Sequence, residues 1–220
     1  MSNQTETLSL KSKRELKHLK DEIESKLRGT EKLLKSKQVG RLTKIRHRKL
    51  DPRAPMSLEK LITYEDVMVL MRHPLLLEEL CAAVAEHARV EIPVTIDAVA
   101  GLEARGFLFG PQIAMILKVP FVPIRKKGKL PGKTYKEIYQ KEYGEDIIEV
   151  QEDAIKQGSK ILLVDDLLAT GGSLKAAASL VEKAGGDVAE AFTLIELAYL
   201  EPRKHMPEHI PVYSLITLNE

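Results

Sequence analysis

Ile161-Leu162-Leu163-Val164-Asp165-Asp166-Leu167-Leu168-Ala169-Thr170-Gly171-Gly172-Ser173 decides how this chain is read. Four apolar residues form a buried strand that ends in two adjacent carboxylates. A short loop rich in glycine and hydroxyls follows, and a helix opens near Gly172 and runs to about Ala184. A loop and helix start of this kind present backbone N–H groups and partial positive charge to an anion. Gly171 and Gly172 permit positive φ and close approach of a ligand, and Thr170 and Ser173 add hydroxyl donors. The stretch reads as a monophosphate cradle. Asp165 and Asp166 would repel phosphate directly, so a neutral group must lie between. A ribose with two hydroxyls fits, and the ligand is read as a 5-phosphorylated pentose.

Working outward, further apolar runs occur at Thr95–Ala100, Val119–Ile124, Ile147–Val150, Val188–Leu197 and Ile210–Thr217, with helical patterns at Pro74–Arg89 and Arg105–Leu117. Continuous apolar strands alternating with helices predict an α/β fold whose mostly parallel sheet is covered on both faces. Ligands of such sheets bind at the carboxyl ends of the strands.

The chain has 220 residues, 44% of them hydrophobic and 30% charged, which suits a globular domain with an appendage. Its net charge of +2 conceals a division: residues 1–50 carry 15 Lys and Arg against 6 Asp and Glu, and the rest carry 19 against 26. The basic head, residues 1–56, contains a Leu/Ile pattern from Leu16 to Leu34 that predicts a helical extension. The body is expected over 57–220. The run Arg41–Lys49 has no interleaved aromatic side chain, so it is read as a solvated tail, and no nucleic acid is expected. The one cysteine, Cys81, excludes a disulfide framework and a thiolate zinc site, and reads as core. No uncharged apolar stretch is long enough for a membrane span. The N-terminus lacks a signal-peptide core and carries several acids, so a cytoplasmic protein is expected.

Three look-alikes are rejected. Gly128-Lys129-Leu130-Pro131-Gly132-Lys133-Thr134 has one residue too few between its glycines for a Walker A loop, and Pro131 removes an amide. No G-x-G-x-x-G occurs, and the six histidines show no ligand spacing. No protein-built metal site is expected.

Together with the Asp165–Ser173 stretch, two more motifs carry a resemblance. Ala100-Gly101-Leu102-Glu103-Ala104-Arg105-Gly106-Phe107-Leu108-Phe109-Gly110-Pro111 resembles a pyrophosphate loop. Val122-Pro123-Ile124-Arg125-Lys126-Lys127-Gly128-Lys129-Leu130-Pro131-Gly132, with Glu142-Tyr143-Gly144, resembles a mobile hood. In this order the three motifs resemble the adenine phosphoribosyltransferases of the type I phosphoribosyltransferase family, from about Pro74 to the C-terminus. The resemblance implies the type I phosphoribosyltransferase fold with a small hood. It also implies transfer of 5-phosphoribosyl from phosphoribosyl pyrophosphate (PRPP) to adenine, giving AMP and pyrophosphate, with Mg²⁺ as cofactor and a homodimer as assembly.

By that resemblance Arg105 and Glu142 are catalytic. Lys126, Lys129, Tyr143, Asp165, Asp166, Ala169, Thr170, Gly171, Gly172 and Ser173 bind substrate. Residues 1–56 match nothing in the family. Leu61–Asp66 aligns with a segment at the base pocket, where Glu65 replaces an arginine and Leu61 a glycine. A second reading therefore stands beside the first: a PRPP- or AMP-binding regulator with little transferase activity.

Overall fold

The structure, a computed structural model, describes residues 17–23, 25, 67–141 and 144–219. Its contacts divide the chain into two compact units, Met1–Leu80 and Cys81–Glu220. In the first unit, residues 17–23 are helical, with Leu19 and Ile23 buried. A 3-10 turn covers Val67–Arg72. Helix α1, Pro74–Val90, begins in this unit and runs into the next. Proline suits its first position, since an N-terminal N–H has no intrahelical partner. The basic run Arg41–Lys49 and the aligned segment Leu61–Asp66 lie outside the described residues.

The second unit is built on seven strands: β1 (Ala98–Leu102), β2 (Phe121–Lys126), β3 (Thr134–Lys141), β4 (Gly144–Gln151), β5 (Lys160–Leu168), β6 (Asp187–Leu197) and β7 (Val212–Leu218). They form one sheet in the order β3-β4-β2-β1-β5-β6-β7. The β2-β1-β5-β6-β7 part is parallel, and the β3–β4 hairpin joins β2 antiparallel. Helix α2 (Gly110–Leu117) connects β1 to β2, and helix α3 (Gly172–Lys183) connects β5 to β6. The two crossovers leave the centre in opposite directions, so right-handed connections place their helices on opposite faces. Alternation along β1 and β5 serves both faces: Ala98, Ala100, Ile161 and Leu163 join the core under α3, which contributes Leu174, Ala177, Ala178 and Val181. Val99, Leu162 and Val164, also fully buried, point the other way.

Two expected elements change. The helix expected over Arg105–Leu117 is a 3-10 turn, Arg105–Leu108, followed by α2 with Pro111 in its first turn. Pro111 has no N–H to donate to the preceding turn, so one helix cannot run through it. Strand β3 had no counterpart in the sequence reading. Its residues Thr134-Tyr135-Lys136-Glu137-Ile138-Tyr139 place charge on both faces, which hides the period of two, and pairing with β4 makes the strand. That strand also disposes of the Walker-like stretch, because Thr134 starts a strand where a phosphate loop needs a helix.

Candidate active site

The site begins where the neighbours of β5 part company. β1 accompanies β5 only as far as the Gly101–Val164 pair, whereas β6 continues alongside to Leu168. Between β1 and β5 the crossovers also reverse direction, the topological switch at which open α/β sheets bind ligands. The acidic pair therefore lies within β5, beside the opening, and does not follow the strand as its apolar run suggested.

A cavity of about 510 Å³ occupies this opening. It is lined on one side by Asp165, Asp166 and the 169–173 loop, and on the other by Glu103, Ala104, Arg105, Lys126 and Tyr139. Of the residues singled out from sequence, Arg105, Lys126, Asp165, Asp166, Ala169, Thr170, Gly171, Gly172 and Ser173 meet there. Lys129 stays on the β2–β3 turn and does not line the cavity. Glu142 and Tyr143 lie outside the described residues.

Each wall has a local cause. Gly171 caps α3 with φ +85, and a Cβ there would stand 2.9 Å from the Pro202 carbonyl oxygen. Only glycine meets both demands. The cap uses no side-chain hydrogen bond, so the first amides of α3 are left to face the cavity. On the opposite wall, a Cβ on Gly106 would lie 2.5 Å from the Val164 carbonyl oxygen. That absent side chain lets the 3-10 turn sit on the β5 backbone and brings Arg105 to the acids.

Arg105 Nε stands 2.9 Å from Asp166 Oδ2. Its N–H is not directed at that oxygen, which is buried and has no hydrogen-bond partner. Asp165 Oδ1 accepts the Asp166 N–H at 2.9 Å. Burial pushes the Asp166 carboxyl above its usual range, against the pull of Arg105. Asp165 is pushed well above it, by burial and then by the charge of Asp166. The cavity thus holds two acids, one with a buried oxygen that lacks a partner, beside the uncapped start of α3.

Two further carboxylates, given no role from sequence, hold the basic turn after β2. Glu103 receives Arg125 in a fork, Nε to Oε2 at 3.1 Å and Nη2 to Oε1 at 3.2 Å, and accepts the Lys126 N–H at 3.0 Å. That guanidinium holds its carboxyl below the usual range. Glu149, 3% exposed, accepts the Gly128 N–H at 3.0 Å and lies 3.4 Å from Lys136 Nζ. Strand register brings the first pair together: Leu102 pairs Ile124, which sets Glu103 beside Arg125 one step on. Tyr139 was also unpredicted; its hydroxyl donates to Asp146 at 3.4 Å, and Lys126 Nζ lies 3.5 Å from the same carboxylate.

Residues 70–219 match the family model described as a phosphoribosyl transferase domain. The chain belongs to the adenine phosphoribosyltransferase family. It is 59% identical over 150 residues to adenine phosphoribosyltransferase of Caenorhabditis elegans, covering 68% of this chain and 80% of the relative. Adenine phosphoribosyltransferase 1 of Saccharomyces cerevisiae is 45% identical over 156 residues, 70% of this chain and 82% of that one. Among solved structures, the S. cerevisiae adenine phosphoribosyltransferase complexed with an imino-altritol bisphosphate and adenine aligns with a TM-score of 0.64 at 44% identity, over 68% of this chain and 85% of that one. The Trypanosoma brucei adenine phosphoribosyl transferase, in complex with AMP, pyrophosphate and ribose-5-phosphate, aligns with a TM-score of 0.64 at 29% identity, over 69% of this chain and 68% of that one. The type I phosphoribosyltransferase fold and the pentosyltransferase class expected from the motifs are those of the family.

Proposed function

We propose that this chain transfers the 5-phosphoribosyl group of PRPP to adenine, giving AMP and pyrophosphate in purine salvage. One observation carries the reading. Asp165, Asp166, the 170–173 amides and Arg105 converge on a single cavity at the switch point, in a family whose yeast and trypanosome members hold adenine and AMP with pyrophosphate.

The chemistry exchanges one bond at the ribose C1: the bond to the pyrophosphate oxygen breaks and a bond to the adenine nitrogen forms. The C1 centre becomes oxocarbenium-like, and negative charge grows on the leaving oxygens. Arg105, half exposed in the cavity, and the Lys126 ammonium meet that growing charge, and Lys129 joins them when the hood closes. Asp165 and Asp166 accept the ribose hydroxyls. Ala169, Thr170, Gly171, Gly172 and Ser173 anchor the 5-phosphate. Glu142 serves as acid/base toward the purine, and Tyr143 as a substrate contact; both roles rest on the resemblance. The hood over 125–144 shuts water out, so that PRPP is not hydrolysed.

Mg²⁺ is the proposed cofactor. No group of three or more metal-ligating side chains occurs among the described residues. The donor set that is present, the two carboxyls of Asp165 and Asp166 lining the cavity, suits a hard ion shared with substrate oxygens. When bound, it neutralises pyrophosphate charge; Asp165 and Asp166 are the side chains placed to hold its complex. A cytoplasmic setting is proposed because the single cysteine, Cys81, leaves no disulfide framework and fits a reducing compartment. A homodimer is the proposed assembly. Among the described residues, no helix is long and apolar enough to cross a membrane.

The test is AMP formation from labelled adenine with PRPP and Mg²⁺. Turnover is expected. Saturable PRPP binding without turnover would instead select the regulatory reading, and absence of both would overturn the site.

A further inference from the structure

The loop that follows β6 supports the phosphate cradle from behind. Gly171, at the pivot of the cradle, faces the Pro202 carbonyl so closely that a Cβ would approach it to 2.9 Å and the His205 Cβ to 3.6 Å. Pro202–His205 is a 3-10 turn on the strap that joins β6 to β7. What holds this turn in place is charge. Arg203 donates Nε to Glu196 Oε1 at 2.8 Å and Nη2 to Glu196 Oε2 at 2.7 Å, and Nη1 to the Val212 carbonyl at 3.0 Å. Glu196 is 3% exposed and sits beside Leu168, the residue before the cradle, and beside Thr217 of β7. One guanidinium thus ties the strap to the ends of two strands, and the strap abuts Gly171.

An ion pair whose cation is half exposed, as Arg203 is, contributes little to stability, because solvent screens it. A two-point fork does supply one fixed geometry. We infer that Arg203, held by Glu196, is a positioning residue for 5-phosphate binding: it sets the strap against Gly171 and so fixes the cradle amides in register with the phosphate. The inference rests on the PRPP reading of the cavity.

The experiment compares the unmodified chain with Arg203→Ala, Arg203→Lys and Glu196→Gln. For each, the KM values for PRPP and adenine, kcat, the Kd for ribose 5-phosphate by titration calorimetry, and the Tm are measured. Arg203→Ala is expected to raise the PRPP KM and the ribose 5-phosphate Kd by roughly 10-fold to 10²-fold, the scale of a small misplacement in a binding site. The adenine KM should change little. Lysine restores a charge but no fork, so Arg203→Lys should fall between. Should Arg203→Ala fail to fold, Arg203→Lys and Glu196→Gln carry the test, being close in size to the originals. Unchanged PRPP and ribose 5-phosphate affinity in the folded variants overturns the inference, as does an equal rise in both KM values, which marks general loosening. If the unmodified chain itself binds no PRPP, the reading of the cavity fails instead.

Discussion

The two walls of the cavity are made of different material. The wall of β5 and α3 is backbone set on an apolar core: Ile161 to Val164 and Leu174 to Val181 are largely buried, and the ligand-facing groups are amides and two sequestered acids. The hood, from Arg125 through the β3–β4 hairpin, sends Ile148 and Val150 of β4 into that same core, and charge holds its outer part. Glu103 clasps Arg125, Glu149 takes the Gly128 amide, and Lys183 on α3 pairs with Glu137 and donates to the Lys136 carbonyl at 3.4 Å. Ile138 on the same hairpin is 58% exposed. A packed core is stiff and passes strain on, whereas exposed ion pairs contribute only tenths of a kcal/mol each. The first wall is therefore the stiffer, and the outer part of the second is the more easily displaced.

The largest expected effect lies where the walls meet. Arg105→Ala should lower kcat by roughly 10²-fold or more, the loss seen when one electrostatic donor to a developing charge is removed. The PRPP KM should rise less, because pyrophosphate charge grows in the transition state. Steady-state titrations separate the two; a pure KM effect would make Arg105 a ground-state anchor belonging wholly to the first wall.

A second, intermediate effect concerns pH. Both acids titrate higher in the folded chain than in the unfolded one, so the folded chain binds protons more tightly there. Their favourable contribution is fully present below the ordinary carboxyl range and is lost as pH rises through the raised folded values. The apo protein should thus lose Tm with rising pH through that window, and Asp165→Asn should flatten the slope. Ribose hydroxyls favour the charged pair, so PRPP with Mg²⁺ should bind more tightly as pH rises and release protons. Calorimetry in buffers of different ionisation heat checks this; no proton release would mean that the ligand meets the pair still protonated.

The smallest effect belongs to the hood. Lys183→Ala removes a half-exposed partner from the hairpin and should cost less than about 1 kcal/mol of stability. Its signature should be salt dependence: the difference from the unmodified protein shrinks as ionic strength screens the pair. Thermal melts at low and high salt measure it. A loss of several kcal/mol would show that the hairpin is as firmly built as the core.

This contrast also explains how much was legible before the structure. β5, the cradle and α3 were read closely because each residue there answers to a local rule: apolar continuity, glycine at a tight turn, hydroxyls at a helix start. The hood was read only as a resemblance. β3 carries Lys136, Glu137 and Lys141 among Tyr135, Ile138 and Tyr139, and no periodicity separates a charged hairpin strand from a loop until its partner is known. The roles of Glu103, Glu149 and Glu196 were equally hidden, since each carboxylate takes its meaning from a group between 7 and 23 residues away.

By itself the sequence determined the order of the parallel strands and their helices, though not β3, and the place of the glycine- and hydroxyl-rich loop between β5 and α3, because propensity and turn geometry act over a few residues. Only the tertiary structure decided where β1 leaves β5, how Gly106 seats Arg105 against Asp166, and that the strap behind Gly171 is pinned by Arg203. Those are matters of register and close approach between distant segments, and no local rule contains them.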